Sequence, residues 1–401
     1  MRISTSTLYS EGVTAMQQMQ NNLARTNLQI ATGQRMLSPA DDPAAAARAI
    51  ELNQSDASNT QLASNRTAAT NTLSLAEGVL SGVTSALQEL KGLGVEAGGV
   101  MTNATSMKGI ATTLRGRMQE LLGLANSTDG VGNYLFSGGQ GKVKPFVTTA
   151  AGTIYQGDDV QRQIQVSASR QMAATEAGSD IFMRVRNGNG SFQTSAGATN
   201  TGTGIIDQGQ ALTAPFNGNN YRVTFTSATT FDVQNLTTAT AVSTGNTYVS
   251  GQSVTFDGIQ FEISGAPATG DTFDVKPSAN KNVFDTLNDF IALADAPPAP
   301  GDAQAAAKFN QGLQQVLASL DQAMNSVLSS RATIGGRLRE IDSLQATGET
   351  LGLQYKNTLS KIQDTDYIQA VTDLNKQQMA LQASQQSFAR VSQLSLFDYL
   401  R

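Results

Sequence analysis

Residues 302–341, DAQAAAKFNQGLQQVLASLDQAMNSVLSSRATIGGRLREI, contain no proline and carry apolar residues at steps of three and four. This spacing places the apolar residues on one face of an α-helix. The face consists of Phe309, Leu313, Val316, Leu320, Met324, Val327, Ile334, Leu338 and Ile341. So long a pattern is more typical of a rod or coiled coil than of a compact globule. The alternative interpretation is a pair of core helices in a globular bundle. The stretch predicts a long helix with Asp302 as its N-cap.

The first part of the chain, up to about residue 125, also predicts helices, because its only prolines are Pro39 and Pro43. Asp41 and Asp42 before Pro43 match a helix N-cap followed by proline in the first turn. LSPADDP (37–43) therefore predicts a break between two helices. Between the next two apolar stripes, GLGVEAGGVMTN (92–103) predicts a turn. These stripes consist of Leu73, Ala76, Leu80, Val83, Leu87 and Leu90, and of Met107, Ile110, Leu114, Met118 and Leu121.

The middle of the chain is rich in glycine, threonine and asparagine, and its apolar residues alternate. Ile164 and Val166 follow the turn signal GDD and predict a small hairpin region beside the helices. Residues 186–279 predict an inserted, mainly-β domain. Within this insert, VTFDGIQFEI (254–263) places Asp257-Gly258 between two alternating runs, which predicts a type I′ hairpin.

Both ends of the chain carry a sparse apolar stripe at helical spacing. The candidate assembly residues on these stripes are Met16, Met19, Leu23 and Ile30 near the start, and Val371, Leu374, Leu381 and Phe388 near the end. Thr26, Gln378 and Gln385 interrupt the heptad pattern. Polar residues in a coiled-coil seam reduce its stability, so we expect neither end to fold alone.

Together these patterns predict an α+β chain, an elongated rod of long helices and coiled coil formed by both ends. Residues 1–42 are expected to pair with 364–401 as coiled coil. Residues 43–185, with the β-hairpin region, are expected to pair with 280–363 as a helical rod that carries the inserted β-domain as an independently folded appendage.

Composition excludes most enzyme classes, because the chain has no cysteine, histidine or tryptophan. Histidine or cysteine catalysis and zinc sites built on these residues are therefore impossible. We expect no catalytic residues, cofactor or metal. The formal charge of −5 without a basic face, and the lack of a long apolar run, argue against nucleic-acid or membrane partners. The N-terminus does not resemble a cleavable signal peptide, so export would need another route.

The paired carboxylates allow a second interpretation as calcium ligands. Asp158 with Asp159, and Asp271 with Asp274, lack the spacing of an EF-hand loop, which favours turn chemistry. The arginines of GSDIFMRVRNGNGS (178–191) lack a phosphate-loop motif, so this stretch predicts a strand that enters the β-domain.

Two terminal stretches carry a family resemblance. NNLARTNLQIATGQRMLSPADDPAAAARAIELNQ (21–54) and DTDYIQAVTDLNKQQMALQASQQSFARVSQLSLFDYLR (364–401) resemble the terminal regions of the flagellin family. Within that family, GNYLFSGGQGKVKPF (132–146), YQGDDVQRQIQV (155–166) and GSDIF (178–182) are similar to members that form the junction between hook and filament. The insert resembles modules of several hook-associated proteins.

The resemblance implies a structural adaptor, secreted through the flagellar type III export apparatus, that joins the hook to the filament and supports motility. It implies hook-associated protein 1, flagellin, copies of the same chain in a ring, and an export chaperone that covers the C-terminal helix as partners. The alternatives are a flagellin filament subunit or hook-associated protein 1 itself. A carbohydrate-binding or adhesive surface protein is the alternative from a different class.

Overall fold

A computed structural model describes residues 5–150, 152–212 and 216–393. Contacts divide the chain into two compact units, one formed by Met1–Ser64 with Ser343–Arg401 and the other by Asn65–Asp342. We call them the terminal unit and the central unit. The closing LSLFDYLR (394–401), part of the predicted C-terminal coiled coil, lies outside the described residues.

Helices occupy both ends of the described chain and antiparallel strands lie between them, which confirms the predicted α+β class. The helices are α1 (Thr5–Thr32), α2 (Pro43–Val100), α3 (Ala104–Ala125), α4 (Val283–Asp295), α5 (Ala303–Gln363) and α6 (Tyr367–Gln393). A π-helical turn lies at Ser179–Met183. The strands are β1 (Phe146–Thr149), β2 (Gly152–Tyr155), β3 (Gln163–Ser167), β4 (Arg170–Ala173), β5 (Val185–Arg186), β6 (Phe192–Ala196), β7 (Ile205–Ile206), β8 (Gln210–Ala211), β9 (Tyr221–Ser227), β10 (Thr230–Asn235), β11 (Thr240–Thr247), β12 (Ser253–Phe256), β13 (Ile259–Ser264), β14 (Thr272–Pro277) and β15 (Asn280–Lys281).

The starts of the two longest helices follow the predicted caps. The Asp42 carboxylate accepts a hydrogen bond from the backbone N–H of Ala45 at 3.0 Å, and α2 begins at Pro43. Asp302 accepts one from Ala305 at 2.9 Å before α5. A carboxylate at this position satisfies a backbone donor that the helix itself leaves unpaired. Both predicted caps are confirmed.

The predicted turn at 92–103 is wrong for most of its length, because α2 continues through the glycines to Val100. Gly94 and Gly98 allow a close approach between helices. A Cβ on Gly94 would lie 2.6 Å from Cδ2 of Leu317, and one on Gly98 would lie 3.4 Å from Leu313. Tertiary packing on α5 therefore outweighs the low helix propensity of glycine.

The apolar stripes predicted on α2, α3 and α5 form the helical core of the central unit. Most of their side chains are buried, including Leu73, Leu80, Leu114, Leu320 and Val327. The periodicity therefore identified the correct faces of these helices.

The predicted hairpin region contains two ribbons, β1–β2 and β3–β4. The β3–β4 ribbon contacts both long helices of the central unit. Arg66 donates to the Val166 carbonyl at 3.0 Å, and Arg170 donates to both carboxylate oxygens of Glu340 at 2.7 and 3.1 Å. This ribbon therefore links α2 to α5.

The β-domain contains two antiparallel sheets that share one hydrophobic core. The larger sheet has the order β11-β10-β9-β14-β6, and the smaller has β12-β13-β7 with β8 also paired to β13. Alternating side chains from both sheets fill the core, among them Phe192, Phe225 and Phe261. Asp257 and Gly258 have φ values of 44° and 78°, which confirms the type I′ turn.

Helix α5 supplies hydrogen bonds to the β-domain. The backbone N–H of Ile206 donates to the buried Gln311 amide oxygen at 2.9 Å, and Gln315 donates to the Thr194 carbonyl at 3.1 Å. Ile206 and Thr194 lie on end strands of the two sheets. Exposed strand edges need partners, so α5 covers an edge that the domain alone would leave open.

Candidate functional site

The candidate assembly residues lie on α1 and α6, which pack against each other. At one end, the ring of Phe388 lies 4.9 Å from that of Tyr9, and a Cβ on Gly12 would lie 2.9 Å from Cδ2 of Phe388. At the other end, a Cβ on Gly33 would lie 3.0 Å from the Tyr367 hydroxyl. The two helices therefore run antiparallel in a register fixed at both ends.

The four candidate residues on α1 are half-buried along one face of the helix. Thr26, which interrupts the apolar pattern, is buried at 7% exposure. Its hydroxyl donates to the carbonyl of Asn22 at 3.1 Å, so the polar atom is satisfied within the helix. The threonine is part of the seam. The seam on α1 consists of Met16, Met19, Leu23, Thr26 and Ile30.

The predicted seam of α6 has two sets of positions. The structure confirms the burial of one set and shifts the other set by one residue. Leu374, Leu381 and Phe388 are half-buried, whereas Val371 is 45% exposed and faces outward, as do Gln378 and Gln385. The alternate seam positions are Ala370, Gln377 and Ser384. Sequence reasoning missed these residues because small and polar side chains give no apolar signal.

The seam pairs large side chains with small ones. The register places Phe388 opposite Gly12. A glycine inside a helix costs helix propensity, so the presence of Gly12 within α1 is the signal that could have indicated a close contact there. The small partners reduce the apolar area that the pair can bury.

Gln377 weakens the seam further. Its side-chain amide oxygen is buried and has no hydrogen-bond partner among the described residues. An unsatisfied buried acceptor costs about 1–3 kcal/mol relative to hydration. This oxygen therefore lowers the stability of the α1–α6 pair within one chain.

The LSPADDP break between α1 and α2 is fixed by carboxylates. Asp41 accepts hydrogen bonds from the backbone of Leu37 and Ser38 at 2.9 and 3.0 Å and pairs with Arg25 at 2.6 Å. Backbone donation, chiefly from Ser38, lowers the pKa of the Asp41 carboxyl below its usual value, and the charge of Arg25 adds to this effect. This aspartate stabilises a turn, as the cap interpretation predicted.

The other acidic candidates are also engaged in turns and ion pairs. Asp158 accepts from the backbone of Gly139 at 2.6 Å, and Asp159 pairs with Arg184 at 3.0 Å. Asp271 accepts three backbone hydrogen bonds, and Asp274 pairs with Arg222. Turn chemistry accounts for Asp158 and Asp271.

The predicted strand within GSDIFMRVRNGNGS is present as β5, where Arg186 donates to the Ser278 carbonyl at 2.8 Å. Among the described residues, no group of three or more acidic side chains is placed to hold a metal ion. In the same ranges, no helix combines the length and apolarity needed to cross a membrane.

Three family models match separate parts of the chain. Residues 3–140 match the bacterial flagellin N-terminal helical region, and residues 317–400 match the bacterial flagellin C-terminal helical region. Residues 195–277, within the β-domain, match the D2-like domain of flagellar hook-associated protein 1.

Relatives that match along all or most of the chain are flagellar proteins. Flagellar hook-associated protein 3 of Salmonella typhimurium is 28% identical over 401 residues, and the match covers 100% of both chains. The crystal structure of FlgL from Xanthomonas campestris shares 34% identity and a TM-score of 0.71, covering 77% of this chain and 99% of that one. The flagellar junction protein FlgL from Legionella pneumophila shares 28% identity and a TM-score of 0.70, covering 79% and 100%. The chain therefore belongs to the flagellar hook-associated protein 3 (FlgL) family.

Proposed function

We propose that this chain is an adaptor subunit that connects the flagellar hook, through hook-associated protein 1, to the flagellin filament. The combination of parts carries the proposal. Both ends match flagellin regions, whereas the β-domain matches a domain of hook-associated protein 1. A subunit with both kinds of surface is suited to contact two different neighbours.

The terminal helix pair is the proposed assembly element, formed within residues 1–42 and 364–401. Its intrachain seam is narrow, and the outer face of α6 still carries apolar side chains. Ile368 is 84% exposed, Met379 is 62% exposed, and Val371 lies between them. Neighbouring helices from copies in a ring, from flagellin or from hook-associated protein 1 would cover this face and supply the missing apolar burial.

The same face supports the proposed route of export. The chain would leave the cell unfolded through the type III apparatus. Before export, a chaperone would cover the C-terminal segment from Asp364 onward. Exposed apolar residues on a marginal helix pair are a suitable surface for such a partner. The final location would be extracellular, at the junction of hook and filament.

The alternative functions have less support. A flagellin subunit would account for the two ends but not for the insert, which matches a domain of hook-associated protein 1. An identity as hook-associated protein 1 would not account for the full-length similarity to hook-associated protein 3. The family matches along the chain are all flagellar and give the carbohydrate-binding alternative no support.

The proposal is tested by deleting the gene and restoring it. We expect the deletion strain to carry hooks without filaments and to release monomeric flagellin into the medium, as observed by electron microscopy and immunoblotting. Expression of the full chain should restore filaments. A deletion strain that still grows attached filaments would reject the adaptor function.

A further inference from the structure

The breaks between α1 and α2 and between α5 and α6 lie side by side. Gln34 and Asp364 form an isolated antiparallel bridge at this point. Around the bridge, the backbone N–H of Arg35 donates to the Gln363 carbonyl at 2.7 Å, and that of Thr365 donates to the Gly33 carbonyl at 2.9 Å. Main-chain hydrogen bonds therefore join two breaks that are more than three hundred residues apart in sequence.

Side chains on both segments extend this contact into the neighbouring helices. The Arg35 guanidinium donates to the Ile362 carbonyl, in the last turn of α5, at 2.8 and 3.2 Å. The last carbonyls of a helix lack intrahelical donors and lie at its negative end, so a cation there satisfies both needs. In the opposite direction, the Thr365 hydroxyl donates to the Gln29 carbonyl of α1 at 3.3 Å.

Gly33 adapts the backbone to this arrangement. It ends α1 with φ = 71°, a conformation that side chains other than glycine rarely adopt. A Cβ at this position would also lie 3.0 Å from the Tyr367 hydroxyl in the first turn of α6. The same residue therefore ends one terminal helix and leaves space for the start of the other.

We propose that these residues form a clasp that couples the docking of α1 on α6 to the end of α5. The clasp consists of Gln29, Gly33 and Arg35 on one segment and Ile362, Gln363 and Thr365 on the other. The closed clasp holds the first turn of α6 beside the last turn of α1, in the register of the seam. The open clasp leaves the two terminal helices tethered only through their separate chain connections.

The physical basis of the coupling is the entropy of bringing two segments together. The seam between α1 and α6 is too weak to offset that entropy easily, because it contains Gly12, Thr26, Gln377 and Ser384. When the clasp is closed, the ends of α1 and α6 are already adjacent, so the first seam contacts form at a smaller cost in chain entropy. The clasp thus acts as the nucleus from which the terminal pair forms.

A disulfide across the clasp tests this coupling directly, since the chain has no native cysteine. Directly opposed residues of antiparallel strands have Cα atoms about 4.5–5.5 Å apart, which suits a disulfide. The test variant carries Gln34→Cys with Asp364→Cys. Amide hydrogen exchange in α1 and α6 is compared between its oxidised and reduced forms, with central-unit melting as the folding check.

The matched control carries Asn59→Cys with Gly352→Cys, which links α2 to α5 in the same terminal unit without touching the clasp. A Cβ on Gly352 would lie 3.2 Å from Nδ2 of Asn59, so side chains at the two positions face each other, and mass spectrometry confirms the control disulfide before exchange is compared. We expect oxidation of the clasp variant to slow exchange in α1 and α6 about tenfold or more, within the range of disulfide effects. The control disulfide should leave the amide exchange rates of α1 and α6 unchanged.

Equal exchange rates in the oxidised and reduced clasp variant would overturn the proposal. An equal effect of the control disulfide would also overturn it, because any link between the helices would then suffice. A second variant, Arg35→Gln, should speed exchange in the last turn of α5 and in α6 together, whereas acceleration in α5 alone would show that no coupling exists. These outcomes are measured on the isolated chain and do not depend on the adaptor function.

Discussion

Leu381 in the middle of the α6 seam offers a sharp test of the proposed assembly element. Leu381→Asp replaces a half-buried apolar side chain with a carboxylate that has no cationic partner in the seam. Partial loss of leucine burial costs about 1 kcal/mol, and placing an unpaired charge in this position adds about 1–3 kcal/mol. A total of about 2–4 kcal/mol is large for a helix pair that already contains an unsatisfied Gln377 oxygen.

The expected result separates assembly from folding. Leu381→Asp should abolish filament attachment and swimming, because the substitution weakens the α1–α6 pair that carries the face that neighbouring subunits must meet. The main melting transition should be nearly unchanged, since the central unit has its own core. Motility agar, electron microscopy of hooks, and calorimetry of the purified chain measure these effects.

Ser387→Asp is the matched control, because it adds the same charge at an exposed position of α6 that lies outside both the seam and the face formed by Ile368, Val371 and Met379. Filaments should form with this variant. Normal swimming of Leu381→Asp would refute the reasoning by denying the seam a role. A fall of several degrees in the main melting transition would refute it in another way, by placing Leu381 in the main folding core.

Three further predictions concern the central unit. Burial alone would raise the pKa of the Asp274 carboxyl, but hydrogen bonds chiefly from Arg222 lower this pKa below its usual value. Asp274→Asn should therefore cost about 1 kcal/mol at pH 7. The difference from wild type should shrink as pH falls below the usual carboxyl range and be lost as pH falls through the lowered pKa of the folded state. Gly94→Val should destabilise the chain by about 1–3 kcal/mol, because the valine side chain would collide with α5. The control Gly92→Val should change stability by less than about 0.5 kcal/mol, because nothing lies within 4 Å of a Cβ at that position. Replacing residues 187–279 with a short flexible linker should leave the helices folded but lower the melting temperature, because α5 loses hydrogen bonds to the β-domain.

Each of these predictions has an outcome that contradicts it. Urea unfolding measures the free energy of unfolding of wild type and Asp274→Asn at several pH values. A difference between them that persisted unchanged at pH 3 would contradict the first prediction. Equal stability losses for the two glycine variants would show that close helix packing is not the cause. An unchanged melting temperature after removal of the insert would show that the β-domain is an independent appendage.

The sequence determined the helices wherever one periodic signal and a cap agreed. In α5, the stripe from Phe309 to Ile341 and the Asp302 carboxylate specify both a face and a starting point, because a helix must bury its apolar face and satisfy its first backbone donors. The Asp257-Gly258 turn is determined in the same local way, since its backbone conformation requires residues that tolerate positive φ.

Only the tertiary structure decided features that depend on a partner distant in sequence. The glycines at 92–99 predict a turn locally, yet the segment remains helical, and α5 approaches closely at Gly94 and Gly98. The phase of α6 also appears only in the structure, where Ala370 is buried and Val371 is 45% exposed. The clasp joins residues 29–35 to 362–365, a contact that no local pattern specifies. Local sequence determines which conformations the backbone favours, but packing between distant segments determines which side of each helix is buried and where the breaks meet.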